Sequence, residues 1–420
     1  MKRILYILLA VVLMLPMTGF GRPDQATTEG AKRVISGVVS DRETRTLLQH
    51  VAVVAVGSNV GTVTNADGEF SLKVTEEELK HGLKFSYIGY VNMEISPEEI
   101  DRQQGVLRIR MIPAALAVNE VTIYGGKARD LIREAISRIP DNYSDKEHLY
   151  TTFYRETVQK RRSHIAVSEA VMDLYKTDYE TRSIYSDKVR LRKGRRLMNY
   201  NENDTLAVKI VGGPSFSLAM DIAKNSEEFL SYEQMDNYEF TLGAPVMLDN
   251  RMQHVVHFKP CVKLPYALFS GVIHLDQEYL SISRVEMHLD VSDLSAATAV
   301  LLHRKPFGLR FKPYGLSFMI GYRLQGDRAY LNYVRSEFRF KCDWKKRFFS
   351  STYTALSEMV MVDREENPKI IRHRERFRKD QIFYDEVDAY ADPNYWEDYN
   401  ILEPTESLEN AVNRLRKRAR

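Results

Sequence analysis

The stretch Gly61–Phe70, with the sequence GTVTNADGEF, decides the fold of the amino-terminal part of the chain. Its first four residues favour a strand, and Asn65–Gly68 supplies the Asn, Asp and Gly that turns prefer. Glu69–Val74 then alternates polar and apolar side chains with the period of a half-buried strand. The stretch therefore predicts two short strands joined by a turn.

Similar short strands lie on both sides of this stretch. They are predicted at Val34–Val39, Val51–Val56, Leu83–Tyr90 and Val106–Met111, with turn residues between them. Several short strands at close spacing are typical of a sandwich. We therefore expect a β-sandwich over residues 33–124.

This segment resembles the carboxypeptidase regulatory-like domain, which is a transthyretin-like β-sandwich. The resemblance rests on Ile35–Val39, Gly61–Phe70 and Phe85–Tyr90 taken together. The family often has a glycine near Arg45 and an aspartate where Asn65 stands. Such domains accompany outer-membrane receptors of Bacteroidota and zinc carboxypeptidases, and in the latter they do not hold the active site. The resemblance therefore implies a cell-envelope setting, without implying transport or proteolysis.

Residues 1–21 are predicted to be a secretory signal peptide. Met1–Arg3 is basic, Ile4–Met17 is uncharged, and cleavage after Gly21 or Ala26 would follow small residues. Removing the segment takes away two positive charges and lowers the formal net charge from +3 to +1. We expect the mature chain to be exported to the periplasm, either free or peripheral to the outer membrane.

The overall composition excludes several classes of protein. With 420 residues, of which 44% are hydrophobic and 28% charged, the chain can build large cores and is not disordered. Its 60 basic and 57 acidic residues argue against a dedicated nucleic-acid binder. Two cysteines are too few for a disulfide-stapled scaffold.

After the sandwich, residues 125–148 are predicted to form a hinge and a linker helix over Ala128–Ile139. Residues 149–365 are predicted to form an antiparallel β domain, because Ser283–Val291 and Val334–Lys341 alternate apolar and polar side chains. The predicted fold class is mainly β: the sandwich plus a larger curved antiparallel sheet with a few helices. The layout is similar to the half-barrel of periplasmic lipoprotein carriers, an analogy of architecture alone. Further strands are predicted at 149–158, 164–176, 206–211, 252–259, 268–275, 316–324 and 347–362, and helical inserts at 216–230 and 292–302.

The order of segments across the whole mature chain resembles a family of Bacteroidota envelope proteins that carry a regulatory-like domain. This resemblance implies kinship and brings no activity with it. The stretches that carry it are Phe153–Glu156, Val167–Ala170, Phe269–Ile273, Arg339–Trp344 and Asp392–Asn400.

A search for catalytic patterns predicts no enzyme site. His254 and His257 are three residues apart on a strand and would point to opposite faces. Glu169 and Asp173 share a strand face but lie about 13 Å apart, which is too far for a glycosidase pair. No nucleophile elbow, P-loop or dinucleotide motif occurs in the sequence. We therefore expect no catalytic residue, no cofactor and no metal site.

The two cysteines, Cys261 and Cys342, leave two alternatives open. An exported protein can form a disulfide, and closing this loop of about 80 residues would contribute roughly 4 kcal/mol in the chain-entropy model. Cys342 shares its face with Phe338 and Phe340 and is predicted to point inward, whereas Cys261 follows a strand end. Two separate thiols are the favoured alternative.

Residues 366–420 are predicted to form a charged, aromatic strap and a basic helix. One interpretation docks the strap on the domain body, with cations placed favourably near the helix carboxyl end. The other is contact with a partner or with an anionic membrane surface, to which each basic residue would contribute about 1 kcal/mol. The candidate contact residues are Tyr395, Trp396, Tyr399, Arg414, Arg416, Lys417, Arg418 and Arg420.

These observations lead to three functional hypotheses. The first is a non-enzymatic exported envelope protein, an interaction or assembly module at the periplasmic face of the outer membrane. The second is a lipid- or lipoprotein-handling protein with an acyl-binding cavity in the curved sheet, and the third is an enzyme acting on glycan or peptidoglycan. The expected partners are envelope proteins or the anionic outer-membrane surface, lipid or lipopolysaccharide, and not nucleic acid. The sequence does not fix the oligomeric state.

Overall fold

Alternation of buried and exposed positions builds most of the chain into strands. In β1 (Arg33–Asp41) every second residue from Ile35 onward is buried, as the period of two requires. The computed structural model describes residues 31–103, 105–114, 127–181, 183, 186–198, 213–301, 309–344, 351–366, 368–392 and 399–419. The protein is mainly β, with small amino-terminal sheets and one large antiparallel sheet, as the sequence predicts.

The amino-terminal part contains two small sheets that share one core. One sheet has the order β4-β1-β7 and the other β3-β2-β5-β6. Gly37 is required in β1, because a Cβ there would lie 2.5 Å from the Phe70 ring. Phe70 and Phe85 meet edge to face at 5.5 Å in the centre of this core. The remaining elements are β2 (Ala52–Ala55), β3 (Gly61–Val63), β4 (Glu69–Val74), α1 (Glu76–Leu79), β5 (Leu83–Ser86), β6 (Met93–Ile95), α2 (Pro97–Arg102) and β7 (Leu107–Met111).

The rest of the chain forms an antiparallel sheet of eleven strands with short helices between them. The strand order is β10-β9-β8-β18-β17-β16-β15-β14-β13-β11, and β12 also pairs with β13. Its elements are α3 (Lys127–Ser137), α4 (Ile139–Asn142), β8 (His148–Lys160), β9 (Ser163–Lys176), β10 (Lys188–Met198), α5 (Gly213–Ala219), α6 (Ser226–Leu230), α7 (Tyr232–Met235), β11 (Tyr238–Leu242), β12 (Val246–Leu248), β13 (Arg251–Pro260), β14 (Phe269–Asp276), β15 (Ile282–Leu289), α8 (Leu294–Leu301), β16 (Leu309–Gln325), β17 (Arg328–Trp344), β18 (Ser351–Glu366), α9 (Phe383–Glu386) and α10 (Glu406–Ala419).

Both faces of the large sheet are covered. The helix-covered face carries the larger core, in which side chains of α3, α5, α7, α8 and α9 pack against the strands. The sandwich-covered face carries Phe153, Val171, Tyr333 and Val360, which pack with Val63 of the small domain. No helix within the described parts of the chain reaches the length and hydropathy of a transmembrane span.

Local details differ from the sequence expectations. The linker helix, predicted over Ala128–Ile139, ends at Ser137, and Ile139 and Pro140 belong to the short helix α4. The insert predicted at 216–230 consists of two short helices, α5 and α6. The basic strand β10 was not expected, and the strand predicted at 206–211 lies outside the described residues.

The edge strand β10 is protected by the chain that follows β18. Phe377 donates a backbone hydrogen bond to the carbonyl oxygen of Val189 at 2.7 Å, and Gly194 forms an isolated bridge with Ala391. A free strand edge would offer unpaired backbone groups to another chain. The strap predicted from the sequence therefore includes a segment that covers this edge.

Candidate functional site

The candidate site is a cleft between the sandwich and the large sheet. It encloses a cavity of about 90 Å³. The sandwich contributes residues from β2, β3 and the end of β5, and the sheet contributes residues from β12 to β17. The polar and charged residues of the lining are His50, Ser86, Tyr87, Asp249, Arg251, Gln253, Asp276, Ser281, Ser283, Arg284, Tyr322, Arg323, Asn332 and Tyr333.

A tight turn between β12 and β13 fixes one wall of the cleft. Asp249 and Asn250 both have positive φ, 54° and 56°, as a type I′ hairpin turn requires. The Asp249 carboxylate accepts hydrogen bonds from Lys84 at 2.9 Å and from Asn92 at 2.6 Å. Asn250 accepts one from the Asn92 backbone at 2.8 Å. The turn therefore clamps the sandwich to the sheet.

The carboxylates that line the cleft are already paired. Asp276 accepts hydrogen bonds from Arg251 at 2.6 and 2.9 Å, and Asp249 is bound by Lys84. Arg284, which also lines the cleft, is mostly buried and donates to Glu286 at 2.6 Å. These contacts leave no lining carboxylate for a further cation.

Arg323, which is partly buried, and Arg364, which is buried, lie close together because both contact Asn59. Arg323 donates to the backbone oxygen of Asn59 at 3.2 Å, and Arg364 donates to the side-chain oxygens of Asn59 and Gln325 at 3.1 and 2.9 Å. Neither forms an ion pair with a described carboxylate. Burial and the charge of Arg364 lower the pKa of Arg323 to about 10.

His50 is neutral in this setting. Its ring lies 5.2 Å from the ring of Tyr333. Burial, together with the positive charges of Arg335 and Arg284, lowers the pKa of His50 to about 3. An uncharged imidazole can donate one hydrogen bond and accept another, so His50 adds a polar group to the cleft without adding charge.

A row of alternating charges crosses the sandwich-covered face beside the cleft. The row runs across seven neighbouring strands, and each of its residues lies directly opposite the next one in the strand pairing. Met319 occupies the second position, and the other six residues are charged. Glu169 sits between Arg155 and Arg195, at 2.6 and 2.5 Å. Burial alone would raise the pKa of Glu169, but the two arginines lower it. In strand order, the charged members are Glu286, Arg335, Glu358, Arg155, Glu169 and Arg195.

Glu169 and Asp173, which share a face of β9, are both paired with arginine. Glu169 belongs to the charge row, and Asp173 is bound by Arg190 and Arg192 at 2.5 Å each. The arginines beside Glu169 favour its ionised form. His254 and His257, the candidate metal-binding pair, both lie on β13. They are three residues apart, so their side chains belong to opposite faces of the sheet.

Glu156 is a buried carboxyl with a raised pKa. It lies on the helix-covered face and accepts a hydrogen bond from the Tyr154 hydroxyl at 2.7 Å. Burial raises the pKa of Glu156 from 4.5 to about 7. Glu156 does not line the cleft cavity.

A second buried charge cluster joins β9 to the helical segment after α5. The Lys176 Nζ lies 3.1 Å from Asp187 and 2.7 Å from Asp221. Asp221 also accepts hydrogen bonds from the hydroxyls of Tyr179 and Tyr322 at 2.9 and 2.7 Å. Although burial opposes it, Lys176 lowers the pKa of Asp221. Every charge has a partner, so the cluster fixes structure and leaves no group for a ligand.

The carboxyl-terminal candidates divide into three groups. Tyr399 is half-buried against the Val63–Phe153 cluster, with the Lys193 ammonium 5.8 Å from its ring. Arg414 is exposed on α10. Arg416, Lys417 and Arg418 continue that helix, but their side chains, together with Tyr395, Trp396 and Arg420, lie outside the described residues.

The two cysteines lie in different parts of the sheet. Cys261 follows β13 and is exposed, and its sulfur lies 3.5 Å from the carbonyl oxygen of Asp236. Cys342 is buried in β17 with Phe340 and Tyr353. Strands β14, β15 and β16 lie between β13 and β17, whereas a disulfide needs Cα atoms about 4.4–6.8 Å apart.

The arginine-rich turn after β18 borders a second cavity of about 220 Å³. Its charges are partly balanced, because Arg190 contacts Glu375 at 3.2 Å and Arg378 contacts Asp380 at 3.1 Å. The turn is largely exposed. The basic stretch is visible in the sequence. The Arg323–Arg364 pair is not, because Asn59, which both residues contact, lies far from them along the chain.

Comparison with known proteins supports the amino-terminal assignment. Residues 35–123 match the family model described as a CarboxypepD_reg-like domain, which confirms the resemblance based on Ile35–Val39, Gly61–Phe70 and Phe85–Tyr90. No curated protein matches the chain. Among solved structures, a DUF1329 family protein from Desulfovibrio piger aligns with 59% of this chain and 96% of its own, at 8% identity and a TM-score of 0.23. The chain is thus similar to a regulatory-like domain over residues 35–123.

Proposed function

We propose that this protein is a non-enzymatic, exported envelope protein that serves as an interaction or assembly module at the periplasmic face of the outer membrane. The observation that carries the proposal is the attachment of the regulatory-like domain to the large sheet. A domain held in one orientation can present its outer surface together with that of the sheet as a single binding platform.

The carboxyl-terminal segment makes this attachment. Asn400 exchanges two hydrogen bonds with the backbone of Lys73, at 2.6 and 3.0 Å. Thr62 donates to the carbonyl oxygen of Ile401 at 3.2 Å, and Arg155 of the sheet donates to that of Leu402 at 2.8 Å. The segment therefore bonds to both domains within three successive residues.

Packing on the helix-covered face counts against the lipid-carrier alternative. Side chains from α3, α5, α7 and α9 fill the space above the strands in the described residues, and Ile132, Leu218, Met235 and Phe383 are buried there. A lipid carrier needs a deep apolar chamber, typically a few hundred cubic ångströms in volume. The cleft encloses only about 90 Å³, and its lining mixes apolar side chains with charged and polar ones.

Crosslinking in intact envelopes tests the proposal. Cells that express the tagged chain are treated with a short amine-reactive crosslinker, and the products are purified under denaturing conditions. We expect defined heteromeric products from the wild type. Asn400→Ala combined with Asp249→Ala loosens the sandwich, and we expect it to lose those products. Lys259→Gln, a variant at an exposed ion pair on β13, is the control and should keep them.

Recovery of monomer alone from wild-type cells would overturn the proposal. A separate measurement addresses the lipid alternative: native mass spectrometry of protein released gently from envelopes. A lipid adduct of fixed stoichiometry would favour the carrier function instead.

A further inference from the structure

The Arg323–Arg364 pair beside the cleft suggests a ligand of negative charge. Arg364 is only 7% exposed, and its Nε and Nη1 atoms are buried without a hydrogen-bond acceptor. Both arginines contact Asn59. Arg323 donates to its backbone oxygen, and Arg364 donates to its side-chain oxygen. Two like charges are thus held side by side by neutral groups.

The surrounding residues position these arginines without neutralising them. The Arg364 guanidinium lies 3.4 Å from the centre of the Tyr330 ring, a stacked arrangement that fixes its plane. Asp249 and Asp363 act on Arg323 electrostatically. Asp249 is paired with Lys84, and the Asp363 carboxylate accepts the Arg364 backbone N–H at 2.7 Å. Buried charges are normally paired or bound to a ligand.

The neighbouring cavity can supply the missing negative charge. Arg323 and Arg284 both line it, together with the neutral His50 and the hydroxyls of Ser281 and Ser283. A cavity of about 90 Å³ can accept a compact group, and guanidinium forks match oxyanions in shape. An anion with several oxygens offers acceptors to more than one guanidinium.

We propose that the cleft between the sandwich and the large sheet is a binding site for a phosphate group, contacted by Arg323 and Arg284 and further attracted by Arg364. The phosphate can be free inorganic phosphate or the exposed phosphomonoester of a lipid headgroup. Its charge would balance the guanidinium pair. This site goes beyond the proposed assembly function and does not depend on it.

Calorimetric titration of the full chain with sodium phosphate, at constant ionic strength set by sodium chloride, tests the site. We expect one phosphate per chain, and Arg323→Gln should weaken binding at least tenfold. Arg323→Lys keeps the charge without the planar fork and should bind with intermediate affinity. Arg339→Gln, at an arginine that is 61% exposed, is the matched control and should bind like the wild type.

The fold of the variant is checked in the same experiment. Because Arg323→Gln removes one of two adjacent like charges, its thermal midpoint without phosphate should equal or exceed that of the wild type. Added phosphate should raise the wild-type midpoint and leave that of the variant unchanged. If Arg323→Gln does not fold, Arg284→Gln is titrated in its place with the same expectation.

Two further arms identify the source of the phosphate. Vesicles containing phosphatidic acid are compared with vesicles of phosphatidylcholine alone. Binding to the former that added phosphate displaces assigns a headgroup, and binding of inorganic phosphate without vesicle binding assigns the free anion. No binding of either probe at millimolar concentration, or equal binding by Arg323→Gln, would overturn the proposal.

Discussion

Asn65 has an amide where the regulatory-like family often has a carboxylate, and both the oxygen and the nitrogen of this amide form hydrogen bonds. Its Oδ1 accepts hydrogen bonds from the backbone N–H groups of Asp67 and Glu69, each at 2.9 Å, as an aspartate could. Its Nδ2 donates to the carbonyl oxygen of Pro404 at 3.1 Å, which an aspartate cannot do. The departure from the family pattern thus links the turn to the carboxyl-terminal segment.

We therefore expect Asn65→Asp to keep the turn and weaken that link. The substitution removes the donor and places a carboxylate against the Pro404 carbonyl oxygen and against Glu69 Oε2, which the Asn65 Nδ2 also contacts at 3.1 Å. The free energy of unfolding should therefore fall by about 1–3 kcal/mol. Urea denaturation followed by circular dichroism measures the change. Asn237→Asp loses only a 3.5 Å contact with Gln234, and as the control it should change stability by less than about 0.5 kcal/mol. A variant as stable as the parent would show that the donor contributes nothing.

Because its pKa is raised, Glu156 should make the protein less stable as the pH rises. A carboxylate paired with arginine has the opposite effect. The pKa of Glu156 is raised from 4.5 to about 7, so between these values the folded state binds more protons than the unfolded state. Stability should therefore fall as the pH rises from about 4.5 to 7 and change little above that, with a total loss on the order of 3 kcal/mol.

Glu156→Gln removes this titration and keeps an acceptor for the Tyr154 hydroxyl. We expect the variant to be more stable than the wild type at pH 8, by an amount that shrinks steadily toward pH 4.5. Urea midpoints at four or five pH values measure it. Parallel curves for the two proteins across this range would contradict the raised pKa.

For single residues, the sequence predicts which face of a strand a side chain occupies better than it predicts the ion-pair partners of that side chain. The spacing of Glu169 and Asp173 correctly predicts that they share a strand face, because side-chain direction is a local property. Their arginine partners on β10 come from strand pairing, which no local pattern specifies. Arg323 and Arg364 are equally inconspicuous, since only the fold places them beside Asn59.

Among the elements, the long alternating strands were predictable and the basic one was not. Ser283–Val291 and Val334–Lys341 lie largely within β15 and β17, where one face is apolar and the other polar. The sequence of β10 is rich in arginine and lysine, as a solvated charge run would be, but Arg190 and Arg195 lie opposite Asp173 and Glu169 of β9. The charges of β10 are instead engaged by Glu169, Asp173 and Asp392.

The helical segment after α5 should depend on its buried charge cluster. Asp221→Ala would leave Lys176 with one fewer carboxylate in a buried site, and breaking such a pair typically costs about 3–5 kcal/mol. Urea denaturation measures this loss. Adding Lys176→Met should restore part of the stability, because the second substitution removes the unpaired charge. If the double variant is no more stable than Asp221→Ala, the cluster is not acting through charge pairing.

The carboxyl-terminal helix combines a structural face with a basic end. Leu408, Val412 and Leu415 are buried against Val167 and Leu197, so deleting the helix would also expose part of the sheet. A charge substitution separates the two roles. We expect replacement of Arg416, Lys417, Arg418 and Arg420 by glutamine to leave the unfolding midpoint unchanged and to reduce retention in the envelope fraction at low salt.

Fractionation of cells at low and high salt measures that retention. Glutamine substitution of Lys259 and Arg339, which lie elsewhere in exposed ion pairs, controls for a general loss of positive charge. Unchanged fractionation of the helix variant would assign the basic end to structure alone.

At the level of the whole molecule, the sequence predicted two β parts but not the way they are joined. Hydrophobic period and turn residues are local signals, and they identify the sandwich and the large sheet. The attachment uses residues more than 150 positions apart, such as Lys84 with Asp249 and Lys73 with Asn400. Asn400 follows a stretch rich in tyrosine and acidic residues. The composition of that stretch does not indicate that Asn400 binds the backbone of Lys73.

This attachment should make the two parts unfold together. Val63 of the sandwich packs in one cluster with Phe153, Tyr333 and Leu402, so separating the parts would expose apolar surface on both. In native-state hydrogen exchange, we expect the most protected amides of β1 and β17 to share one opening free energy. Asn400→Ala combined with Asp249→Ala should lower the protection of β1 more than that of β17, because β1 then opens without the sheet. Lys259→Gln should leave both unchanged, and a lower protection of β1 already in the wild type would mean that the sandwich opens independently.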